Sequence, residues 1–189
     1  MKPLAFVDIE TTGLNSAVHE IIEITIIKVC KRHGITHYTQ KIMPEYIERA
    51  NEKALQINGF SYKEWANAPL ALDVADEIGK ILANTMLVGH NIKFDEEFIS
   101  EMLHNHAVKK RYDYRTIDTI TLAHEHLPHL KSISLTSLRK YFGWSTDGAH
   151  TSYVDAMDCM RLYYKLLRAN WFKRTYWRIK YNIKRFLSR

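Results

Sequence analysis

Two acidic side chains stand at the end of the first apolar segment of the chain. Asp8 and Glu10 end an apolar run that begins at Phe6 and predicts a β-strand before a turn at Gly13. Side chains alternate across a strand, so both carboxylates point to one face, with their Cα atoms about 7 Å apart. Adjacent carboxylates on a half-buried face repel each other unless a cation neutralises them, and Mg²⁺ and Mn²⁺ prefer oxygen ligands. The pair predicts a divalent metal site; the alternative is a solvated strand end.

A third carboxylate, Asp95, stands in the first turn of a helix that follows a later predicted strand. On structural grounds alone it complements the helix dipole, a role that Glu96 and Glu97 could equally fill. As a ligand it would add a further oxygen donor of the kind that a hard cation needs. Both interpretations stay open from the sequence.

A histidine and a fourth carboxylate, His150 and Asp155, lie at the start of the last long predicted helix. Ser152 and Asp155 also fit a capping box, which would explain the acid but not the histidine. His150 follows residues 147–149, which we expect to form a flexible loop, and an ordinary pKa of about 6.5 suits an imidazole to act as a general base at neutral pH. We therefore take His150 as a candidate base.

The elements that must position these groups follow from the apolar pattern. Further strands are predicted over residues 20–29 and 35–43, as a hairpin, and over 85–88 and 114–118. Helices are predicted within residues 62–83, with a new start at Pro69, over 95–105 and 134–141, and from 152 onward. Three strands followed by alternating helices and short strands predict an α/β fold, with a mixed sheet flanked by helices.

The composition predicts one globular core. The chain has 189 residues, of which 46% are hydrophobic, and only 7 Gly and 4 Pro, so we expect one domain over residues 1–169. There is no apolar signal-like segment and no run of 18 apolar residues, which predicts a cytoplasmic protein. Cys30 and Cys159 lack any partnering motif and are expected to be reduced thiols, not a disulfide.

The positive charge of the chain lies at its C-terminal end. The net charge is +6, but residues 170–189 hold 7 basic residues and no acid, which leaves the body near neutral. Helical spacing places one apolar stripe on Phe172, Tyr176, Ile179, Ile183 and Phe186. The tail could pack on the domain, bind nucleic acid, or touch a membrane or partner, and basic residues among aromatics favour nucleic acid. The candidate contacts are Lys173, Arg174, Trp177, Arg178, Lys180, Tyr181, Lys184 and Arg185.

Three motifs, in this order and with these spacings, resemble the DEDDh group of 3′→5′ exonucleases, whose best-known type is the proofreading subunit of bacterial replicative DNA polymerase. The resemblance spans roughly residues 4–168 and implies an RNase H-like fold, with a five-stranded mixed sheet between helices. The motifs are Asp8-x-Glu10-Thr11-Thr12-Gly13-Leu14, Asn91-x-x-Phe94-Asp95 and His150-x4-Asp155.

The resemblance also implies roles for these residues. Two Mg²⁺ or Mn²⁺ ions are expected on Asp8, Glu10, Asp95 and Asp155, with His150 as the base. The 3′-terminal nucleotide is expected against Thr11, Thr12 and Leu14 on one side, and Asn91 and Phe94 on the other. Asn58 stands where many relatives carry a His-Gly pair, so it is a further candidate for substrate contact. Asp118 and Asp158 match no ligand position of the family and are assigned to structure.

The implied function is a metal-dependent 3′→5′ exonuclease that releases nucleoside monophosphates from DNA. Nothing in the motifs separates DNA from RNA, so an exonuclease of RNA or short oligoribonucleotides is the first alternative. A catalytically weak nucleic-acid-binding module is the second, and it is disfavoured because all five catalytic residue types are present. The implied partners are a nucleic acid with a single-stranded or frayed 3′ end and a polymerase or another replication or repair protein.

Overall fold

A five-stranded mixed sheet forms the centre of the protein. The computed structural model describes residues 2–145, 151–168 and 175–180. The strand order is β3-β2-β1-β4-β5, with β1, β2 and β3 antiparallel, and β4 and β5 parallel to β1. The mixed sheet that the sequence predicted is confirmed, although the last strand has only two residues. The strands are β1 (Leu4–Thr11), β2 (Ile21–Cys30), β3 (Gly34–Lys41), β4 (Met86–Gly89) and β5 (Ile117–Asp118).

Seven α-helices accompany the sheet within residues 2–145 and 151–168. Two of them were not predicted, and each begins at a polar cap. The Asn51 side chain accepts hydrogen bonds from the backbone N–H groups of Lys53 and Ala54, and that of Asp118 accepts one from Ile120. The helices are α1 (Glu52–Ile57), α2 (Tyr62–Trp65), α3 (Ala71–Leu82), α4 (Ile92–Asn105), α5 (Thr119–His126), α6 (Leu135–Phe142) and α7 (Ser152–Leu167), with a 3-10 turn at Ile47–Arg49.

The two faces of β1 are buried against different helices. Val7 and Ile9 belong to the core that contains α3 and α4 residues, whereas Phe6 packs against α7, with its ring centroid 5.4 Å from that of Tyr163. Asp8 and Glu10 have the same parity as Phe6, so they point toward the α7 side of the sheet. The strand period thus directs both acids to the face that α7 covers.

The short helix over residues 175–180 packs on the domain through Trp177. The indole lies edge-on to Phe142, with ring centroids 5.3 Å apart, and the Lys165 ammonium group stands 5.7 Å from its ring centroid. The sequence placed Trp177 among the candidate nucleic-acid contacts, but the indole packs on the domain because Phe142 of α6 offers it an aromatic contact. Tyr176 and Ile179 of the expected apolar stripe are exposed. The remaining tail candidates, Lys173, Arg174, Tyr181, Lys184 and Arg185, lie outside the described residues.

No helix within the described ranges has the length and apolar character needed to cross a bilayer.

Candidate active site

The end of β1 carries Asp8 and Glu10 into contact with β2. Glu10 pairs directly with Glu23 across the two strands, and Asp8 pairs with Thr25. The register shifts between Glu10 and Thr11, where an irregularity ends the regular pairing and begins the loop to β2. Like charges directly opposite each other are unfavourable in a sheet, so this arrangement requires a compensating group.

Asp95 reaches the site from the first turn of α4. Asn91 adopts the left-handed backbone conformation, with φ at 77°, and its N–H donates to Oδ1 of Asp118 over 3.2 Å. This tight turn between β4 and α4 places Asp95 inside the protein, where only 5% of its surface is exposed. A carboxylate that served only the helix dipole would stand in solvent, so its burial favours the ligand interpretation.

Asp155 is presented by the start of α7, and the predicted capping box is not formed. Thr151 is the N-cap residue, with no side-chain cap bond, and Ser152 is fully buried. The Ser152 hydroxyl donates to Oε1 of Glu23 at 2.6 Å and lies 2.8 Å from the Thr25 hydroxyl. This network fastens α7 to β2 and leaves the Asp155 carboxylate to another partner.

That partner is Arg139 of α6, which the sequence analysis did not identify. Its side chain is only 1% exposed, and its Nη2 donates to Oδ1 of Asp155 at 2.5 Å while its Nε donates to Oδ2 of Asp158 at 2.6 Å. The signal was present in the spacing, because Leu135, Leu138 and Arg139 occupy one face of α6. An arginine on an apolar helix face needs buried acids nearby, and α7 supplies them.

The four predicted acids form one electrostatic unit. Burial raises the pKa of Asp8 well above its ordinary value, and the charges of Asp95, Asp155 and Glu10 raise it further, whereas Arg139 acts in the opposite direction. Burial, followed by the charges of Asp155 and Glu23, raises the pKa of Glu10 to about 8. Three separate elements therefore converge on a site with an excess of negative charge, which attracts cations.

The pKa of Asp95 is raised as well. Burial raises its pKa well above the ordinary value, and the charges of Asp118 and Glu10 add to the effect, although backbone N–H groups of Asp95 itself and of Ile9 oppose it. A buried group whose pKa is raised by burial and by like charges in one cleft is typical of a functional site.

The loop after β1 is held by its own polar groups. The Thr11 hydroxyl donates to the Gly13 carbonyl oxygen at 2.6 Å, and the Thr12 hydroxyl accepts from the Glu20 N–H at 2.9 Å. The Thr12 N–H is also engaged, with the Glu20 carbonyl oxygen at 2.9 Å. Both threonines are buried and shape the loop, so their predicted contact with a nucleotide stays a prediction. Leu14, at 86% exposure, projects from the loop into solvent.

The other predicted substrate residues lie around the same end of the sheet. Asn91 is exposed, and Phe94 is half-buried, with its ring centroid 4.9 Å from that of Phe98. The Asn58 amide Nδ2 donates to the Thr11 carbonyl oxygen, which ties α1 to this loop. His150 lies outside the described residues.

The family model for exonucleases named RNase T matches residues 5–163. The chain belongs to this exonuclease family. The exonuclease is 25% identical over 167 residues to the DNA polymerase III epsilon subunit of Aquifex aeolicus, a match that covers 88% of this chain and 81% of that protein. It is 28% identical over 158 residues to the corresponding subunit of Treponema pallidum, covering 82% of this chain and 72% of the relative.

Solved structures show the same fold. Escherichia coli exonuclease I in complex with a dA16 oligonucleotide superposes with a TM-score of 0.75 at 18% identity and covers 92% of this chain. The exonuclease spans 42% of that longer chain. The RNase H-like fold that the motifs implied is therefore confirmed.

The donor chemistry of the site fits a divalent cation. The exonuclease family depends on divalent metal ions, and Asp8, Glu10, Asp95 and Asp155 offer the carboxylate oxygens that Mg²⁺ and Mn²⁺ prefer. Over residues 2–145, 151–168 and 175–180, no three His, Cys, Asp or Glu side chains are already arranged as they would be around an ion. Asp155 contacts Arg139 through Oδ1, so the guanidinium and a metal ion would draw on the same carboxylate.

Proposed function

We propose that this exonuclease removes nucleoside monophosphates from the 3′ end of DNA with the help of two divalent metal ions. The observation that carries the proposal is the convergence of acids from β1, α4 and α7, where burial and neighbouring carboxylate charges raise the pKa values of Asp8, Glu10 and Asp95. Such a group of buried and half-buried carboxylates is costly for a fold unless a positively charged ligand neutralises it.

The four carboxylates of Asp8, Glu10, Asp95 and Asp155 would hold the ions. When bound, two such ions supply an activated water and neutralise negative charge on the phosphate and on the leaving oxygen. His150 takes the proton of the attacking water as a general base. This role rests on its chemistry and on its position five residues before Asp155.

The nucleotide pocket we propose has two walls. Leu14 stands on the loop after β1 and would pack against the last base, and its exposure leaves it free to do so. Asn91 and Phe94, at the start of α4, would form the opposite wall. The loop around Thr11 and Thr12 is expected to admit a free 3′-hydroxyl, which sets the 3′→5′ direction.

The names of similar proteins give the support for the proposed substrate and partner. Two relatives are named as subunits of DNA polymerase III, and one similar structure holds a DNA oligonucleotide. These names support DNA as the substrate and a polymerase as a partner of this chain. Nothing in the site favours RNA over DNA.

The test is a panel of 5′-labelled single-stranded DNA, duplex, mismatched duplex and RNA in Mg²⁺. We expect products shortened stepwise from the 3′ end, inhibition by EDTA, and a block by a 3′-phosphate but not by a 5′-phosphate. Asp8→Asn should lose the activity, whereas Asp76→Asn, which changes an exposed acid paired with Lys80 on α3, should keep it. Release of mononucleotides from the 5′ end would overturn the direction, and digestion of RNA alone would overturn the substrate.

A further inference from the structure

Arg139 is a buried cation shared by two acids of one helix face. Asp155 and Asp158 lie three residues apart on α7, so they are neighbours on its surface. The guanidinium contacts them through different nitrogens, Nη2 for Asp155 and Nε for Asp158. A planar guanidinium can serve two carboxylates at once, which an ammonium group does with less fixed geometry.

The two acids have different surroundings. Asp155 faces the carboxylates at the end of β1, since its charge acts on both Asp8 and Glu10. Asp158 lies one helical turn further along α7 and is 8% exposed, with the Arg139 Nε at 2.6 Å. Only Asp155 is therefore in a position to be shared between Arg139 and a cation in the acidic site.

We propose that Arg139 is a positioning residue that holds Asp155 until a divalent ion takes it over, while Asp158 retains the guanidinium during the exchange. The inference rests on the proposed function, because it requires Asp155 to be a metal ligand. It adds a residue of α6 to the acidic site and gives Asp158 the task of keeping a buried positive charge neutralised.

The exchange predicts that removal of the Arg139 charge and removal of the Asp158 charge change metal affinity in opposite directions. Arg139 competes with the ion for Asp155 and repels it, so removal of the guanidinium charge should strengthen metal binding. Removal of the Asp158 charge leaves Asp155 as the remaining carboxylate partner of Arg139, so the arginine should hold Asp155 more firmly and metal binding should weaken. A purely structural ion pair would lower the stability of both variants without separating their metal affinities.

The experiment compares the 189-residue chain with its variants Arg139→Met, Asp158→Asn and the control Lys140→Met, which changes an exposed cation on the same helix. Mn²⁺ binding is measured by calorimetry, and Tm is measured before and after addition of Mn²⁺. We expect Arg139→Met to bind Mn²⁺ more tightly by on the order of tenfold, because a full charge in contact with a ligand is removed. Its Tm should be low without Mn²⁺ and should rise more than that of the parent protein when Mn²⁺ is added.

Asp158→Asn should bind Mn²⁺ more weakly than the parent protein, and Lys140→Met should match the parent protein in both measurements. If Arg139→Met does not fold, the weaker binding of Asp158→Asn still supports the exchange. Unchanged Mn²⁺ affinity in the folded variants, or a change of the same sign in both, would overturn the inference while the parent protein still binds metal and cleaves DNA. Failure of the parent protein itself to bind Mn²⁺ would overturn the proposed function and this inference together.

Discussion

The side-chain amide of Asn58 donates a hydrogen bond to the backbone carbonyl oxygen of Thr11, 2.8 Å away. The bond links the end of α1 to the end of β1, across 47 residues of sequence. Thr11 begins the loop that ends in Leu14, so a residue outside the sheet helps to fix the proposed nucleotide pocket. Asn58 was expected to contact the substrate, and one of its two N–H groups is already committed to this loop.

Asn58→Ala should therefore lower kcat/KM mainly through a higher KM. Loss of one hydrogen bond of about 1 kcal/mol corresponds to about a fivefold effect if the loop must be reordered by the substrate. Steady-state kinetics on a short DNA strand would measure this, with Asn105→Ala, an exposed asparagine at the end of α4, as the matched control. A fall in Mn²⁺ affinity of the same size would contradict the prediction, since the hydrogen bonds described for Asn58 go to backbone oxygens and not to the four carboxylates.

Glu10 gives a prediction about stability and pH. Its pKa is about 8 in the folded protein, against an ordinary value of 4.5. A carboxyl with a raised folded-state pKa binds its proton more tightly in the folded state, so its contribution to stability is full below pH 4.5 and is lost as the pH rises through 8. Without divalent ions, Tm should fall over this range, and Glu10→Gln should flatten the fall. Thermal melts in EDTA would measure it.

The matched control for Glu10 is Glu97→Gln, which removes an exposed carboxyl of α4. It should leave the pH dependence of Tm as it is in the parent protein. If Glu10→Gln melts with the same pH dependence as the parent protein, the carboxyl is not protonated in the folded state near neutral pH. The claim that burial and neighbouring carboxylates raise the pKa of Glu10 would then be wrong.

His150 gives a separate prediction about rate and pH. If it is the general base, the rate at saturating Mn²⁺ should fall below pH of about 6.5, where an imidazole becomes protonated. His150→Ala should lose most of the rate together with this acid limb, whereas His124→Ala, an exposed histidine of α5, should keep both. The hypothesis fails if His150→Ala retains the parental rate and the parental acid limb.

The C-terminal segment gives a prediction about salt. Because Trp177 packs on Phe142, deletion of the segment would expose aromatic surface as well as remove charge. The cleaner variant is Arg178→Gln with Lys180→Gln, which changes two exposed cations and leaves Trp177 in place. If both contact phosphates of a single strand, the slope of log K against log salt should become shallower by about 1.4. Binding of an oligonucleotide at several salt concentrations would measure this.

Cleavage of dinucleotides should be unaffected by these two substitutions, because such a short substrate offers no phosphates beyond the active site. Lys63→Gln with Lys80→Gln, two exposed lysines of α2 and α3, is the control for loss of charge alone. An unchanged salt slope in the Arg178 and Lys180 variant would favour a packing role for the helix over residues 175–180.

The parts of the site that could be predicted are those that depend on local pattern. The strand period places Asp8 and Glu10 on one face, and a helix that follows a strand directly carries Asp95 to the end of the sheet. The same reasoning gave the mixed sheet and the positions of its longer helices. These features depend on neighbours in sequence, which the pattern of apolar residues records.

The parts that were missed depend on pairing between distant elements. Glu23 lies opposite Glu10 only in the observed register of β1 and β2, and a shift by one residue would place it on the other face. Ser152 was expected to cap its own helix but binds Glu23, whose position follows from that register. Arg139 was visible as an arginine among leucines on α6, but its partners on α7 are set by tertiary packing.

The short helices α1 and α5 could not be predicted for a different reason. α1 has six residues and no buried side chain, so no apolar stripe in the sequence predicts it. Its start depends on the Asn51 cap, and that of α5 on the Asp118 cap. A capping residue without a clear apolar period is too common in loops to predict a helix by itself.

The placement of Asp155 on α7 makes the acidic site depend on a helix that comes late in the chain. The first strand and α4 bring three of the four acids, but the fourth arrives only when α7 docks on the face of the sheet that Phe6 occupies. A ribosome-bound chain that has emerged as far as α5 therefore carries an incomplete acidic site. Because domains fold as units, the four acids come together only when the helix that carries Asp155 has folded onto the sheet.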